Sequence, residues 1–308
     1  MKTFLTISIL LAFYSSLTAK EVSITIEGKT LCGELDVSGQ IKSRAVFILA
    51  GSSNTDRDGN TPIASAKTNN LKHLAKALNE QGITTLKVDK RGVGASAAIQ
   101  ESDLRFSTYV EDAKHWIKFL EKQGYGEIIL LGHGEGALVA TLAASAKSVK
   151  GLVCIAAAGR PASVILQEEF QSVLPRQAST TTDKVITSLS EGNLEKDSAT
   201  NLRGLHLGIR PYLISLFKID PVKEISKVQV PVLIVQGTTD LRIKVKDAEL
   251  LNAAAKESTL IIIKGMNHFL KEIKGNIAAQ SQLNFIPDTT SQRLNERHHR
   301  VYQYDQRT

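Results

Sequence analysis

From Lys42 onward, short apolar runs rich in β-branched residues alternate with longer stretches of helical period. The runs are AVFILA (45–50), ITTLKV (83–88), EIILL (127–131), LVCIAAA (152–158), VLIV (232–235) and LIII (260–263). Between them, Leu71, Leu74, Ala75 and Leu78 stand at i, i+3, i+4 and i+7, and Val110, Ala113, Ile117 and Leu120 keep a similar stripe. Such spacing puts apolar side chains on one face of a helix, whereas the short runs read as strands. The alternation predicts βαβ units and a mostly parallel sheet with helices on both faces. Residues 23–37 read as a leading hairpin and 137–147 as an Ala-rich helix. His73, His115 and Trp116 lie on or beside the helical stripes, where packing or a helix surface accounts for them.

The rhythm loosens between Gly159 and Lys227, where helical pieces and a Ser/Thr-rich joint occur without a convincing strand. An excursion of that length, leaving and rejoining a sheet, is expected to cover a site as a helical cap. At the N-terminus, Lys2, an uncharged apolar stretch from Phe4 to Tyr14, and SSLTA before Lys20 have the three parts of a secretory signal. No cysteine follows that stretch, and no other apolar segment approaches the roughly 18 residues of a membrane span. The expected organisation is therefore a signal over 1–19, a core over 20–158, the cap over 159–227 and a second core part over 228–288. A polar tail follows over 289–308, where only Leu294 and Val301 are aliphatic. Export to the periplasm or the exterior follows from the signal.

With 42% hydrophobic and 22% charged residues, the chain has enough apolar material for a large core, which excludes disorder, collagen-like and coiled-coil readings. The net charge of +7 is spread along the chain, with no basic run to hold nucleic acid. Two cysteines cannot make a disulfide framework: Cys154 falls inside an apolar run and reads as buried, and Cys32 as a lone thiol.

Candidate chemistry gathers where predicted strands end. The strand at 127–131 runs into Gly132-His133-Gly134-Glu135-Gly136 and then a helix, which makes a sharp elbow. Four further stretches accompany it: ILAGSSNTDRDGN (48–60), VDKRGVGAS (88–96), PVLIVQGTTD (231–240) and GMNHFL (265–270). On these residues the chain resembles the α/β-hydrolase superfamily, in particular its secreted, cap-bearing esterase and serine-aminopeptidase-like branch, over roughly residues 44–270.

The resemblance implies a three-layer α/β-hydrolase fold with an inserted helical cap, and a G-x-S-x-G nucleophile elbow. The middle position of that elbow is Gly134 here, so the hydroxyl is missing. It further implies Asp240 as the triad acid and His268 as the base, in the family's chain order, and an oxyanion hole from the backbone N–H groups of Ser52 and Glu135. Alone, Asp240 would read as a turn former and His268 as a loop histidine; their joint placement behind successive strands favours the triad. Ser52, Ser53 and Ser96 are nearby hydroxyls without an elbow aimed at His268.

Other readings compete. Gly132, Gly134 and Ala137 satisfy G-x-G-x-x-A, a dinucleotide fingerprint, although no acid stands about 20 residues on and the site is mid-chain. Asp56, Asp58 and Asn60 suggest a calcium loop but lack its glycine at the required place; with Arg57 they read as a local ion pair and turn. His298 and His299 have no metal-ligating partner at suitable spacing. No metal and no cofactor is implied. The expectation is an exported hydrolase-family protein, catalytically impaired, holding a small acyl, ester or peptide ligand. The alternative is an active hydrolase in which His268 activates water or another group attacks.

Overall fold

In the computed structural model, residues 18–38, 43–52, 54–61, 67–193 and 205–273 are described. Residues 1–17 of the signal expected over 1–19, Ser53, residues 194–204 of the expected cap, and the tail with His298 and His299 lie outside them.

The leading hairpin pairs β1 (Thr18–Ile26) with β2 (Lys29–Val37) in antiparallel register. Its two-residue turn places Glu27 at φ 50° and Gly28 at φ 74°, the primed turn whose twist suits two antiparallel strands. The remaining strands are β3 (Arg44–Leu49), β4 (Thr84–Val88), β5 (Glu127–His133), β6 (Val149–Ile155), β7 (Val232–Gly237) and β8 (Ser258–Ile263). They form one sheet in the order β1-β2-β4-β3-β5-β6-β7-β8, antiparallel across β1, β2 and β4 and parallel from β4 to β8.

Successive side chains of a strand face opposite ways, and β3 divides accordingly. Val46, Ile48 and Ala50 join one core with Leu71, Leu74 and Ala75 of helix α1 (Asn70–Glu80). Ala45, Phe47 and Leu49 join the other with Val110, Ala113, Trp116, Ile117 and Leu120 of α2 (Phe106–Lys122). Helices α3 (Glu135–Ala143) and α8 (Val245–Ala254) share that second face. The result is a three-layer α/β fold with the sheet in the middle. Both helical stripes face the cores their spacing predicts, Trp116 is core, and His115 lies exposed with Nδ1 at 2.8 Å from the Glu111 carbonyl.

Several boundaries differ from expectation, the hairpin for one starting at Thr18 rather than at residue 23. The Ala-rich helix begins two residues early and ends by Ala144, because the elbow itself supplies its first turn. The strand expected over 152–158 lies over Val149–Ile155 instead, and stops where Ala156 turns to φ 50°.

Between β6 and β7 the described chain is helical: α4 (Ala162–Val173), α5 (Arg176–Ser190), α6 (Arg210–Phe217) and α7 (Pro221–Ile225). The Ser/Thr run at 179–182, expected as a joint, is the interior of α5. Its hydroxyls turn back on the helix: Thr180 donates to the Arg176 carbonyl at 2.9 Å and Thr182 to that of Ala178 at 2.8 Å. Val185, Ile186 and Leu189 carry the buried face, so packing overrides the weak helical preference of threonine.

Candidate active site

The site lies at the carboxyl ends of the parallel strands, where loops leave β3, β5, β7 and β8, the usual crevice of an open α/β sheet. At the end of β5 the chain reverses into α3 through Gly134, with φ 55° and ψ −121°, a conformation costly for any residue with a Cβ. Its N–H donates to the Ile155 carbonyl at 2.9 Å, and its carbonyl accepts from Ala137 at 3.1 Å.

The neighbouring glycines are glycines for lack of room. A Cβ on Gly132 would stand 2.3 Å from the Ala137 Cα, and one on Gly136 would stand 2.3 Å from the Leu49 carbonyl oxygen. This close packing of helix on strand accounts for the G-x-G-x-x-A spacing without a nucleotide. At Gly134 itself a Cβ would fit at ordinary contact distance, 3.7 Å from both Nε2 and Cε1 of His268 and 3.8 Å from the Gly51 Cα.

Asp240 and His268 are brought together by interlocked loops. Thr238 N–H donates to the Ile263 carbonyl and Thr239 N–H to that of Met266, both at 3.1 Å, while Gly265 N–H donates to the Thr238 hydroxyl at 3.0 Å. The Asp240 Oδ2 stands 2.9 Å from His268 Nδ1. The other oxygen, Oδ1, accepts from the Arg242 and Ile243 N–H groups at 2.9 Å each. Burial works against ionisation of Asp240, but the His268 imidazole and these N–H groups outweigh it and hold the carboxyl below its ordinary range. Behind His268, the Asn267 side-chain oxygen accepts from the N–H groups of Phe269 at 3.0 Å and Lys271 at 2.9 Å, which fixes the loop.

Two polar residues absent from the sequence expectations complete the frame. His133, buried at the elbow, donates from Nε2 to the His268 carbonyl at 2.7 Å. Burial and the neighbouring His268 ring push its imidazole pKa down to about 3, so it stays neutral. Lys90, in the loop after β4, donates from Nζ to the Gly51 carbonyl. Both lie inside stretches legible as motifs, but only contacts across the fold reveal what they hold.

Gly134, Glu135, Ser52 and His268 open on one cavity of about 250 Å³. Its depth is apolar, with Leu138 and Cys154 from the sheet side and Leu213, Leu216 and Phe217 from α6. Burial raises the Cys154 thiol to about 12, which leaves it unionised. Tyr212 and Glu135 both line the cavity, and burial, with the nearby Glu135 charge, raises the Tyr212 pKa well above its ordinary value. Charges near the mouth are paired: Arg242 with Glu169 at 3.3 Å, and Arg160 with Asp247 at 2.9 Å. Among the described residues, the Ser52 and Glu135 backbone N–H groups have no hydrogen-bond acceptor.

The other motif residues are structural. Asp56 Oδ1 accepts from Asp58 N–H at 3.0 Å and Asn60 N–H at 2.8 Å, closing a turn on itself. The ion pairs expected within 56–58 reach outward instead, Arg57 to Glu21 at 2.9 Å and Asp58 to Lys87 at 2.5 Å. Ser96 is engaged by the Asp89 carbonyl and the Cys32 N–H, far from His268 in its bonding. Both cysteines are free thiols. Among the described residues no acidic, His and Cys side chains group as metal ligands, and no helix is long and apolar enough to cross a membrane.

The sheet order, the strand-to-helix elbow and the helices inserted after β6 define an α/β-hydrolase. Residues 65–272, about two-thirds of the chain, match the serine aminopeptidase S33 family, and the chain belongs to it. A curated relative, esterase EstD of Thermotoga maritima, is 24% identical over 260 residues, 82% of this chain but only 60% of the relative's length. Among solved structures, Est1E from Butyrivibrio proteoclasticus with ferulic acid bound superposes with a TM-score of 0.62 at 19% identity, over 85% of this chain and 96% of that one. The Pyrococcus furiosus esterase Pf2001 gives a TM-score of 0.58 at 17% identity, over 92% of each chain. At these identities the structures bear on the fold.

Proposed function

We propose that this chain is an exported serine-hydrolase-type protein whose nucleophile position is Gly134, and that it binds an acyl, ester or peptide ligand with little or no turnover. Asp240 and His268 are the acid and base of the triad, and the Ser52 and Glu135 N–H groups form the oxyanion hole. One observation carries the reading: the Cβ position of Gly134 is 3.7 Å from the nitrogen of His268 that faces away from Asp240. A serine there would meet the base that must take its proton.

Without the hydroxyl, the attack that forms an acyl-enzyme has no nucleophile, although the hole and the cavity still favour a carbonyl ligand. The apolar depth suits an acyl chain or an apolar side chain. Export rests on the pattern of residues 1–19.

The test is hydrolysis of p-nitrophenyl hexanoate by the native chain and by His268→Ala. Rates indistinguishable from the uncatalysed reaction in both support a binding protein. Native turnover abolished by His268→Ala would replace it with the second reading, in which His268 activates a water beside Gly134.

A further inference from the structure

The peptide joining Gly51 to Ser52 carries the first N–H of the proposed oxyanion hole on one side and the Gly51 carbonyl on the other. Every described peptide is trans, so that carbonyl and that N–H point in opposite directions. Whatever holds the carbonyl therefore aims the N–H. The holder is the Lys90 side chain, whose Nζ donates to the Gly51 oxygen; burial lowers its pKa, against the Glu135 charge that raises it. Lys90 does not line the ligand cavity. It lines a separate small space of about 30 Å³ behind the β3 loop, with Tyr109 and Asp112, and its Nζ stands 5.4 Å from the centre of the Tyr109 ring.

We infer that Lys90 is a positioning residue for the oxyanion hole, aiming and polarising the Ser52 N–H through the Gly51 carbonyl without touching the ligand. This rests on the assignment of Ser52 N–H to the hole. In its protonated form Lys90 draws electron density from the peptide and makes its N–H a stronger donor, as in any chain of polarised hydrogen bonds. The gain goes to ligands with negative charge on the oxygen bound there, such as a tetrahedral oxyanion, and hardly to neutral carbonyls. The position is crowded on its other side: a Cβ on Gly51 would lie 3.3 Å from the buried His133 Nδ1 and 3.4 Å from the His133 carbonyl oxygen.

A matched pair of probes tests the inference on the native full chain. Hexyl methylphosphonate is a tetrahedral monoanion, and heptyl methyl sulfone is its neutral isostere. Calorimetric titration of the native protein is expected to show the anion bound at least about tenfold more tightly. In Lys90→Met that preference should fall to within about threefold, while sulfone affinity stays within about twofold of native. Lys90→Gln keeps a donor without the charge and should fall between; it takes the place of Lys90→Met if that variant does not fold. Equal losses for both probes would mean that Lys90 only supports the loop, and an undiminished preference would also overturn its role. No preference in the native protein would instead remove the oxyanion-hole assignment itself.

Discussion

At residues 240 and 268 the chain fixes its geometry with side chains: the carboxylate of Asp240 is bonded on both oxygens, and the amide of Asn267 binds the turn behind His268. At residues 132–136 the turn is fixed mainly by backbone, through glycines that let α3 lie against β5 and the β3 loop, and the His133 side chain ties it across to the His268 carbonyl. One region needs its polar groups in order to hold its shape, and the other would keep its shape whether or not a hydroxyl stood at its tip. On the proposed reading, a change at position 134 removes the reacting atom and leaves the fold and the Asp240–His268 pair intact. The difference teaches that an elbow and an assembled Asp–His pair are evidence of scaffold, and on the proposed reading the chemistry hangs on a single side chain.

The largest expected effect comes from uniting the two regions. In a serine hydrolase, loss of the nucleophile costs about 10⁶ in turnover. Gly134→Ser should raise hydrolysis of p-nitrophenyl hexanoate above the native rate by at least about 10³, and adding His268→Ala should return it to background. A serine that gains nothing would show that the two regions are not aligned for transfer of its proton.

Next in size is the backbone dependence of the elbow. Gly132→Ala is expected to cost about 3 kcal/mol, because the new methyl would stand 2.3–2.4 Å from the Gly136–Ala137 backbone of α3. Gly134→Ser, whose Cβ makes only ordinary contacts and has its φ to bear, should cost about 1 kcal/mol, the low end for such strain. Urea unfolding compares them; the opposite order would break the contrast drawn here.

His133 bridges the regions, and its effect depends on pH. Folding holds its imidazole neutral down to about 3, whereas in the unfolded chain it titrates near 6.5, as an approximate reference. As the pH falls below that value the unfolded chain takes up a proton that the folded chain refuses. Stability is thereby lost by up to about 1.4 kcal/mol per pH unit. His133→Phe should flatten that slope between about pH 6 and 4, at the expense of about 1–3 kcal/mol at pH 7 for the unpaired His268 carbonyl. Unfolding curves at several pH values would expose an unchanged slope.

Smallest is the acid limb of Asp240. Its folded pKa is depressed, so its contribution is present above the unfolded value of about 3.9 and fades as the pH falls through the lower folded value. Asp240→Asn should therefore narrow its stability gap to native below about pH 4. A gap that widens with acid would contradict the bonding described.

The strands and the two helical stripes were legible because burial imposes a period that composition makes visible: Leu71 and Leu74, or Ile117 and Leu120, can only face a core. The triad candidates were legible because each follows a strand end. What periodicity does not carry is partnership across the fold. Nothing near Lys90 announces the Gly51 carbonyl, 39 positions away, and nothing near His133 announces that of His268, 135 positions away. The threonines of α5 looked like a joint because their intrinsic preference is weak, and only the packed Ile186 and Leu189 face decides for a helix. The cavity combines residues from Ser52 to His268, so its apolar depth is a property of the assembled fold.

The most direct measurement is intact-protein mass spectrometry, with peptide mapping, after exposure to an alkyl fluorophosphonate. Gly134→Ser is expected to gain one phosphonyl group, located on residue 134, while the native chain stays unmodified. A variant that stays unmodified, or a native chain labelled on some other residue of the cavity, would contradict the placement of Gly134 between the hole and His268.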